Sequence, residues 1–293
     1  MSGSSRPQAR LPRINDTGRT TLCPGSSCGT VITYHRILED VTLLEREHLE
    51  PTEMTTQPIR PVGPRIGTLQ SALVPSKDKV LRCDTITLRA LGDWDADDLF
   101  PLLGGEQNAH IFTYMSDNPP TSSSQLTDML TTKAASSDPL FYTIRLNATN
   151  KPVGWCALMR IDSTNRVLEI GHLLFSPVLQ RTAAATEVLY LLLRYAFDEL
   201  GYRRVEWKCD SLNAASRRAA ARFGFVHEGT LRQHMVYKGR NRDTAWFSML
   251  DGEWPERRQE LEAWLADENF DAEGRQITKL EKFRESFRGE AQT

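Results

Sequence analysis

Between Pro177 and Glu187 the chain reads Pro-Val-Leu-Gln180-Arg181-Thr182-Ala183-Ala184-Ala185-Thr186-Glu187. This run follows an apolar segment, Val167 to Phe175, that reads as a strand. It precedes Val188 to Leu200, whose Leu189, Leu192, Leu193, Ala196 and Leu200 fall on one helical face. A strand that enters a helix through small residues gathers backbone N–H donors at the positive end of the helix dipole, which suits a phosphate or pyrophosphate. Small side chains let such a ligand approach the backbone closely. Thr186 is expected to cap the helix, and Glu187 to sit in its first turn. The same residues also fit ordinary strand–helix packing.

The sequence downstream tips the balance. Gly201 suits a helix end. In Arg204-Val-Glu-Trp-Lys-Cys209 the residues alternate, with Val205, Trp207 and Cys209 on one face. Asn213-Ala-Ala-Ser216 opens a short helix that closes at Gly224-Phe225, with Ala215, Ala219 and Phe223 along one side. Apolar runs near Leu231 to Tyr237 and Thr244 to Leu250 follow.

In this order, Glu169-Ile-Gly171, Pro177…Gln180-Arg181…Thr186-Glu187, Asn213-x-x-Ser216, Gly224-Phe225, Glu228-Gly229 and Arg232 resemble a GNAT acetyltransferase of the RimJ/RimL type over about Thr85 to Leu250. The resemblance implies the α/β (α+β) GNAT acyl-CoA N-acyltransferase fold. That fold is a twisted mixed sheet flanked by helices and splayed open where cofactor and acceptor meet. It implies acetyl-CoA as acyl donor and no metal. The cofactor would lie along Val167–Phe175, with Leu174 and Phe175 beside it and a backbone N–H near Leu173 to Phe175 polarising the thioester. Gln180, Arg181, Thr182, Ala183, Ala184, Ala185 and Thr186 would hold the pyrophosphate. Ala183 stands where the family normally has Gly, which is harmless if the residue is right-handed helical and costs about 1 kcal/mol or slightly more if it is left-handed.

The resemblance also points to Asn213 and Ser216 for the leaving thiolate, with Ser216 as the proton donor. Asn213 is at the same time a helix N-cap, and a first-turn serine is common without any chemistry. The family's acidic base maps onto Met235, which accepts no proton. The substitutes are His234 and Glu169, followed by Glu228 and His172. Adjacent strand residues face opposite ways, so His234 and Met235 cannot both face the site. Glu169 and His172, three apart, face opposite ways on a regular strand, and a bulge would change that. A strand histidine also fits a purely structural place, and Asp243 fits backbone satisfaction.

These residues need elements to position them. Thr85 to Arg89 reads as a strand. Trp94 to Leu103 reads as a helix capped by Asp93, and Pro119 to Ser124 as a loop capping a helix to about Ala134. Phe141 to Leu146 and Val153 to Met159 read as a hairpin turning at Asn147 to Lys151. Trp254 to Leu265 and Ile277 to Phe287 read as polar helices. The organisation expected is a loosely ordered extension over 1–80, the acetyltransferase domain over 81–252, and a helical tail over 253–293. Leu38 to Leu49 is the one amphipathic stretch in the extension, and Met54 reads as a natural start of the working protein.

With 293 residues and a net charge of −2, nothing calls for nucleic acid or a membrane as partner. Cys23, Cys28, Cys83, Cys156 and Cys209 form no metal pattern and favour a reducing compartment. A cytoplasmic place is expected. The arginine-bearing N-terminus offers mitochondrial targeting as an alternative, against which its Pro and Gly content argues. The glycosylation patterns at Asn15 and Asn147 carry no weight without secretion.

The function expected is acetyl-CoA-dependent N-acetylation of a small-molecule or amino-acid-like amine, by direct transfer in a ternary complex. The missing acidic base and the substituted loop set the chain apart from the enzymes that acetylate protein N-termini, which remains the alternative. A degenerate acyl-CoA-binding or interaction domain without turnover is the alternative of another class.

Overall fold

Eight strands lie in one mixed sheet in the order β1-β2-β3-β4-β5-β6-β8-β7. They are β1 (Leu81–Arg82), β2 (Ile86–Ala90), β3 (Leu140–Leu146), β4 (Pro152–Asp162), β5 (Val167–Phe175), β6 (Arg204–Asp210), β7 (Val226–Tyr237) and β8 (Arg240–Leu250). The helices are α1 (Ala96–Leu103), α2 (Ser123–Ala135), α3 (Ala183–Arg194), α4 (Ala214–Arg222), α5 (Trp254–Leu265) and α6 (Leu280–Glu290). This computed structural model describes residues 61–290 except Leu69. The expected helix at Leu38 to Leu49, the start at Met54, Asn15, Cys23 and Cys28 lie outside the described residues. Residues 65–293 form one unit.

Strand alternation gives the sheet two different faces. Leu168 and Ile170 of β5, Val205, Trp207 and Cys209 of β6, and Ala245, Phe247 and Met249 of β8 bury one face against α3 and α5. Phe141, Trp155, Ala157 and Leu174 bury part of the other face against α1 and α2. Every neighbouring pair is antiparallel except β5–β6, as a strand–helix–strand crossover through α3 requires.

Several elements differ from expectation for identifiable reasons. Asp93 does not cap α1. Residues Asp93–Asp95 form a tighter 3₁₀ turn ahead of it, and the buried Asp95 accepts from Thr143 at 2.7 Å and from Arg145 Nη1 at 2.5 Å. β7 and β8 extend beyond the apolar runs into a hairpin whose turn, Lys238-Gly239, has φ of 49° and 69°. A two-residue turn with both φ positive matches the twist of its strands. Residues 253–290 are not a peripheral tail. Trp254, Leu261, Trp264 and Leu280 belong to the same buried core as the sheet. The polar face of α5 hid this, because its buried Arg257 and Glu260 pair with each other.

Candidate active site

β5 and β6 run side by side only at Val167↔Arg204, Leu168↔Val205 and Glu169↔Glu206. Beyond Glu169, β5 continues beside β4 alone, and β6 beyond Glu206 beside β8 alone. The two strands therefore splay apart, and the edge of β5 from Ile170 to Phe175 opens onto the gap. Leu174 and Phe175 lie on that edge. Leu174 tucks its side chain among α1 and α2, and the Phe175 carbonyl accepts from Gln180 Nε2 at 2.7 Å.

The strand leads from the gap into α3. Thr182, not Thr186, is the N-cap, and its Oγ1 accepts from Ala185 N at 3.2 Å. Ala183 is the first helical residue and so is right-handed, and the left-handed position is Arg181, with φ 63°. The backbone N–H groups of Arg181, Ala183 and Ala184 have no protein acceptor, as expected where a helix begins. Three free donors around a left-handed residue make the kind of concavity that holds a phosphate. The exposed guanidinium of Arg181 lies at the same turn. Ala184 is buried in the core, and the Thr186 hydroxyl is taken by Arg222 Nη1 at 3.2 Å, which ties α4 to α3.

Glu187 does not serve the helix dipole. It is buried in the second turn, and its Oε2 accepts from the backbone N–H of Thr85 and Ile86 at 3.0 and 3.2 Å. Burial raises its carboxyl above the ordinary range, partly offset by the bonds from Thr85 and Ile86.

The other side of the gap leads from β6 into α4. Asn213 is the N-cap, its Oδ1 accepting from Ser216 N at 3.0 Å, and its Nδ2 has no protein partner. Ser216 Oγ accepts from the indole Nε1 of Trp207 at 2.9 Å. That bond uses the oxygen as acceptor and leaves the hydroxyl to donate, with the Cys209 sulfur within its reach. Trp207 is buried and held edge-on by Phe225, with ring centroids 5.6 Å apart. The Cys209 thiol is raised by burial and eased by a hydrogen bond from Ser216. One helix face is lined by Ala219, Ala220 and Phe223, while Ala215 is exposed.

The uncovered sheet face beside the gap carries charges. Glu169 is buried, 2.9 Å from Lys208 Nζ and 3.1 Å from Arg160 Nε. Burial raises its carboxyl although Lys208 and Arg160 pull the other way. Lys208 also touches Glu206 at 2.7 Å and lies 3.7 Å above the Trp246 ring. Sequence alternation puts Lys208 only on the strand face opposite Trp207 and Cys209 and names none of these partners. Glu228 pairs with Arg204, whose hydrogen bonds hold its carboxyl down at about 2. His234 is exposed, and its Nδ1 is bonded to Thr244 Oγ1 at 2.9 Å beside Trp246. Met235, paired to Arg242, is also exposed.

The tip of the β7–β8 hairpin reaches the segment before α2. Lys238 Nζ donates to the Phe112 carbonyl at 2.8 Å, and Tyr114 OH to the Leu212 carbonyl at 3.1 Å. Tyr237 OH donates to Asp210 at 2.8 Å; burial and then that carboxylate push the phenol up to about 12. No sequence pattern announced these bridges, because their partners lie 98 or more residues apart at Tyr114 and Lys238.

Residues 85–226 match the family pattern described as Acetyltransferase (GNAT) domain. The crystal structure of a GCN5-related N-acetyltransferase from Brucella melitensis is 45% identical, with a TM-score of 0.72, over 74% of this chain and 98% of that one. The chain belongs to the GNAT acetyltransferase family. Two curated relatives match at lower identity. The uncharacterized N-acetyltransferase YoaA of Bacillus subtilis is 28% identical over 174 residues, 58% of this chain and 96% of its own. The uncharacterized N-acetyltransferase p20 of Bacillus licheniformis is 28% identical over 179 residues, 60% of this chain and 98% of its own. The protein is thus an N-acetyltransferase, and its β5 and β6 part beyond Glu169. Among the described residues no group of His, Cys, Asp or Glu side chains is placed to hold a metal ion. No described helix is long and apolar enough to cross a membrane.

Proposed function

We propose that the protein transfers the acetyl group of acetyl-CoA to the amine of a small molecule or amino-acid-like acceptor, both bound at once in the β5–β6 gap. The free amides of Arg181, Ala183 and Ala184 would hold the pyrophosphate, the open edge of β5 near Leu173 to Phe175 would meet the thioester carbonyl, and Asn213 Nδ2 would add a donor. Ser216 would protonate the departing thiolate. The observation that carries this reading is that both strands bordering the gap lead into a helix start, one with unbonded backbone amides after β5 and one with a serine hydroxyl able to donate after β6.

The hairpin bridges support a small acceptor over a protein N-terminus. Lys238–Phe112 ties the β7–β8 tip, and Tyr114–Leu212 the loop after β6, to the segment before α2, which would narrow the way in for an extended chain. The decisive experiment measures acetyl-CoA-dependent thiol release with a panel of small amines, amino acids and short peptides with free N-termini. Turnover with small amines above peptides is the expected result. Preference for the peptides would establish the alternative acceptor, and binding of acetyl-CoA with no turnover on any acceptor would establish a domain without catalysis.

A further inference from the structure

We infer that His172 is the general base that takes the proton from the acceptor amine; the inference rests on the acetyl-transfer reading above.

Its place comes from a bulge. Trp155 pairs with Leu174 and Ala157 with Gly171, so two residues of β4 face three of β5, and the extra residue falls at His172. His172 has φ 47°, a left-handed conformation that histidine tolerates better than most residues and that is otherwise uncommon. The bulge reverses the alternation expected from spacing. The His172 ring lies 5.0 Å from Phe141, which faces α1 and α2, the side opposite the buried Leu168 and Ile170. It stands on the stretch of β5 that has parted from β6, beside the backbone edge assigned to the thioester carbonyl.

Its ring nitrogens are free. Of the four described histidines, His110, His227 and His234 each have a ring nitrogen bonded within the protein, whereas His172 has neither. The rival bases are already engaged. Glu169 is held by Lys208 and Arg160, and His234 leans on Thr244.

The surroundings keep the imidazole neutral, as a base must be before it acts. Burial lowers its pKa, Lys133 lowers it further, and Asp117 opposes both. Lys133 of α2 is buried, 2.7 Å from Asp117 and 4.9 Å from the same Phe141 ring. On its own strand, Glu169 is matched by Lys208 and Arg160. In the reaction the amine nitrogen attacks the thioester carbonyl and the C–N bond forms. The nitrogen's proton passes to His172, the C–S bond breaks, and the thiolate takes the Ser216 proton. Solvent carries the proton from His172 back to Ser216, so the net transfer is from amine to thiol.

His172→Asn tests the assignment, because asparagine accepts a positive φ. The expected result is a fall in kcat of about 10²–10⁴-fold. The thermal shift given by acetyl-CoA should be retained, and free imidazole should restore part of the rate. In the parent, kcat/KM should rise with pH through a value below the ordinary ~6.5 of histidine, and this limb should vanish in the variant. Lys133→Met is the second arm. It removes the lowering charge and strands Asp117, so the limb should move to higher pH. A His172→Asn protein that keeps its kcat and its limb overturns the inference, as does a limb that stays in place in Lys133→Met. Absence of turnover in the parent itself would instead sink the acetyl-transfer reading.

Discussion

Trp207 Nε1 donates to Ser216 Oγ at 2.9 Å, joining the middle of β6 to the first turn of α4. Because the indole only donates, the bond fixes where the serine oxygen sits and leaves its O–H to donate, at rest towards the Cys209 sulfur and in the reaction towards another acceptor. If that acceptor is the leaving thiolate, Ser216→Ala should lower kcat by about 10²-fold or more while the acetyl-CoA KM changes little. Trp207→Phe keeps the ring packing against Phe225 and removes only the bond. It should lower kcat by a smaller factor with the same unchanged KM. Steady-state kinetics of both variants check this. Equal loss in kcat/KM through KM alone would mean that the serine binds and does not act on the thiolate.

Lys238 ties the β7–β8 hairpin tip to the Phe112 carbonyl, on the side of the gap proposed for the acceptor. Lys238→Ala should loosen that tie, raise the KM for small amines and improve the relative rate on peptides with free N-termini. Acetyl-CoA affinity should stay the same, since the Lys238 bond goes to Phe112 and not to the α3 start. An acceptor profile identical to the parent's would show that the bridge does not select substrates.

Glu187 carries a pH dependence of unusual sign for a carboxylate. Its folded-state pKa is raised, so the native protein holds this proton more tightly than the unfolded chain. Its contribution to stability is therefore full at low pH and declines as pH rises from the unfolded value of ~4.3 towards the folded one. Glu187→Gln keeps an oxygen for the Thr85 and Ile86 amides. It should be less favourable relative to the parent at pH 4 than at pH 7. Urea midpoints at the two pH values check this, and parallel changes would contradict it.

How far the sequence could be read followed the range of the interactions involved. The alternation of Val205, Trp207 and Cys209 and the helical face from Leu189 to Leu200 are local patterns; the sheet forms as they predict, while α3 stops at Arg194 and gives way to a π turn over Tyr195–Glu199, which residue spacing does not record. The Asn213 cap is local too, and its side chain bonds Ser216 N. By residue type Thr182 and Thr186 both suit a cap, and only the backbone turn at Arg181 settles where the helix begins. The bulge at His172 depends on the register of β4 against β5, which residue types do not record. Lys208, Tyr237 and Lys238 are placed by β8 and by the segment before α2, so their partners were out of reach of any spacing argument. The burial of α5 was hidden because Arg257 and Glu260 pair with each other inside the core.

The account turns on acetyl-CoA sitting at the start of α3. Ala183 is half-buried at the first helical position, so an aspartate there suits the helix and leaves the buried Ala184 untouched. Titration of acetyl-CoA into the parent, Ala183→Ser and Ala183→Asp is the most direct measurement. The account predicts that Ala183→Ser binds like the parent and that Ala183→Asp binds about tenfold or more weakly, because like charges brought together cost several kcal/mol. Equal affinity in all three proteins would contradict it and place the pyrophosphate elsewhere.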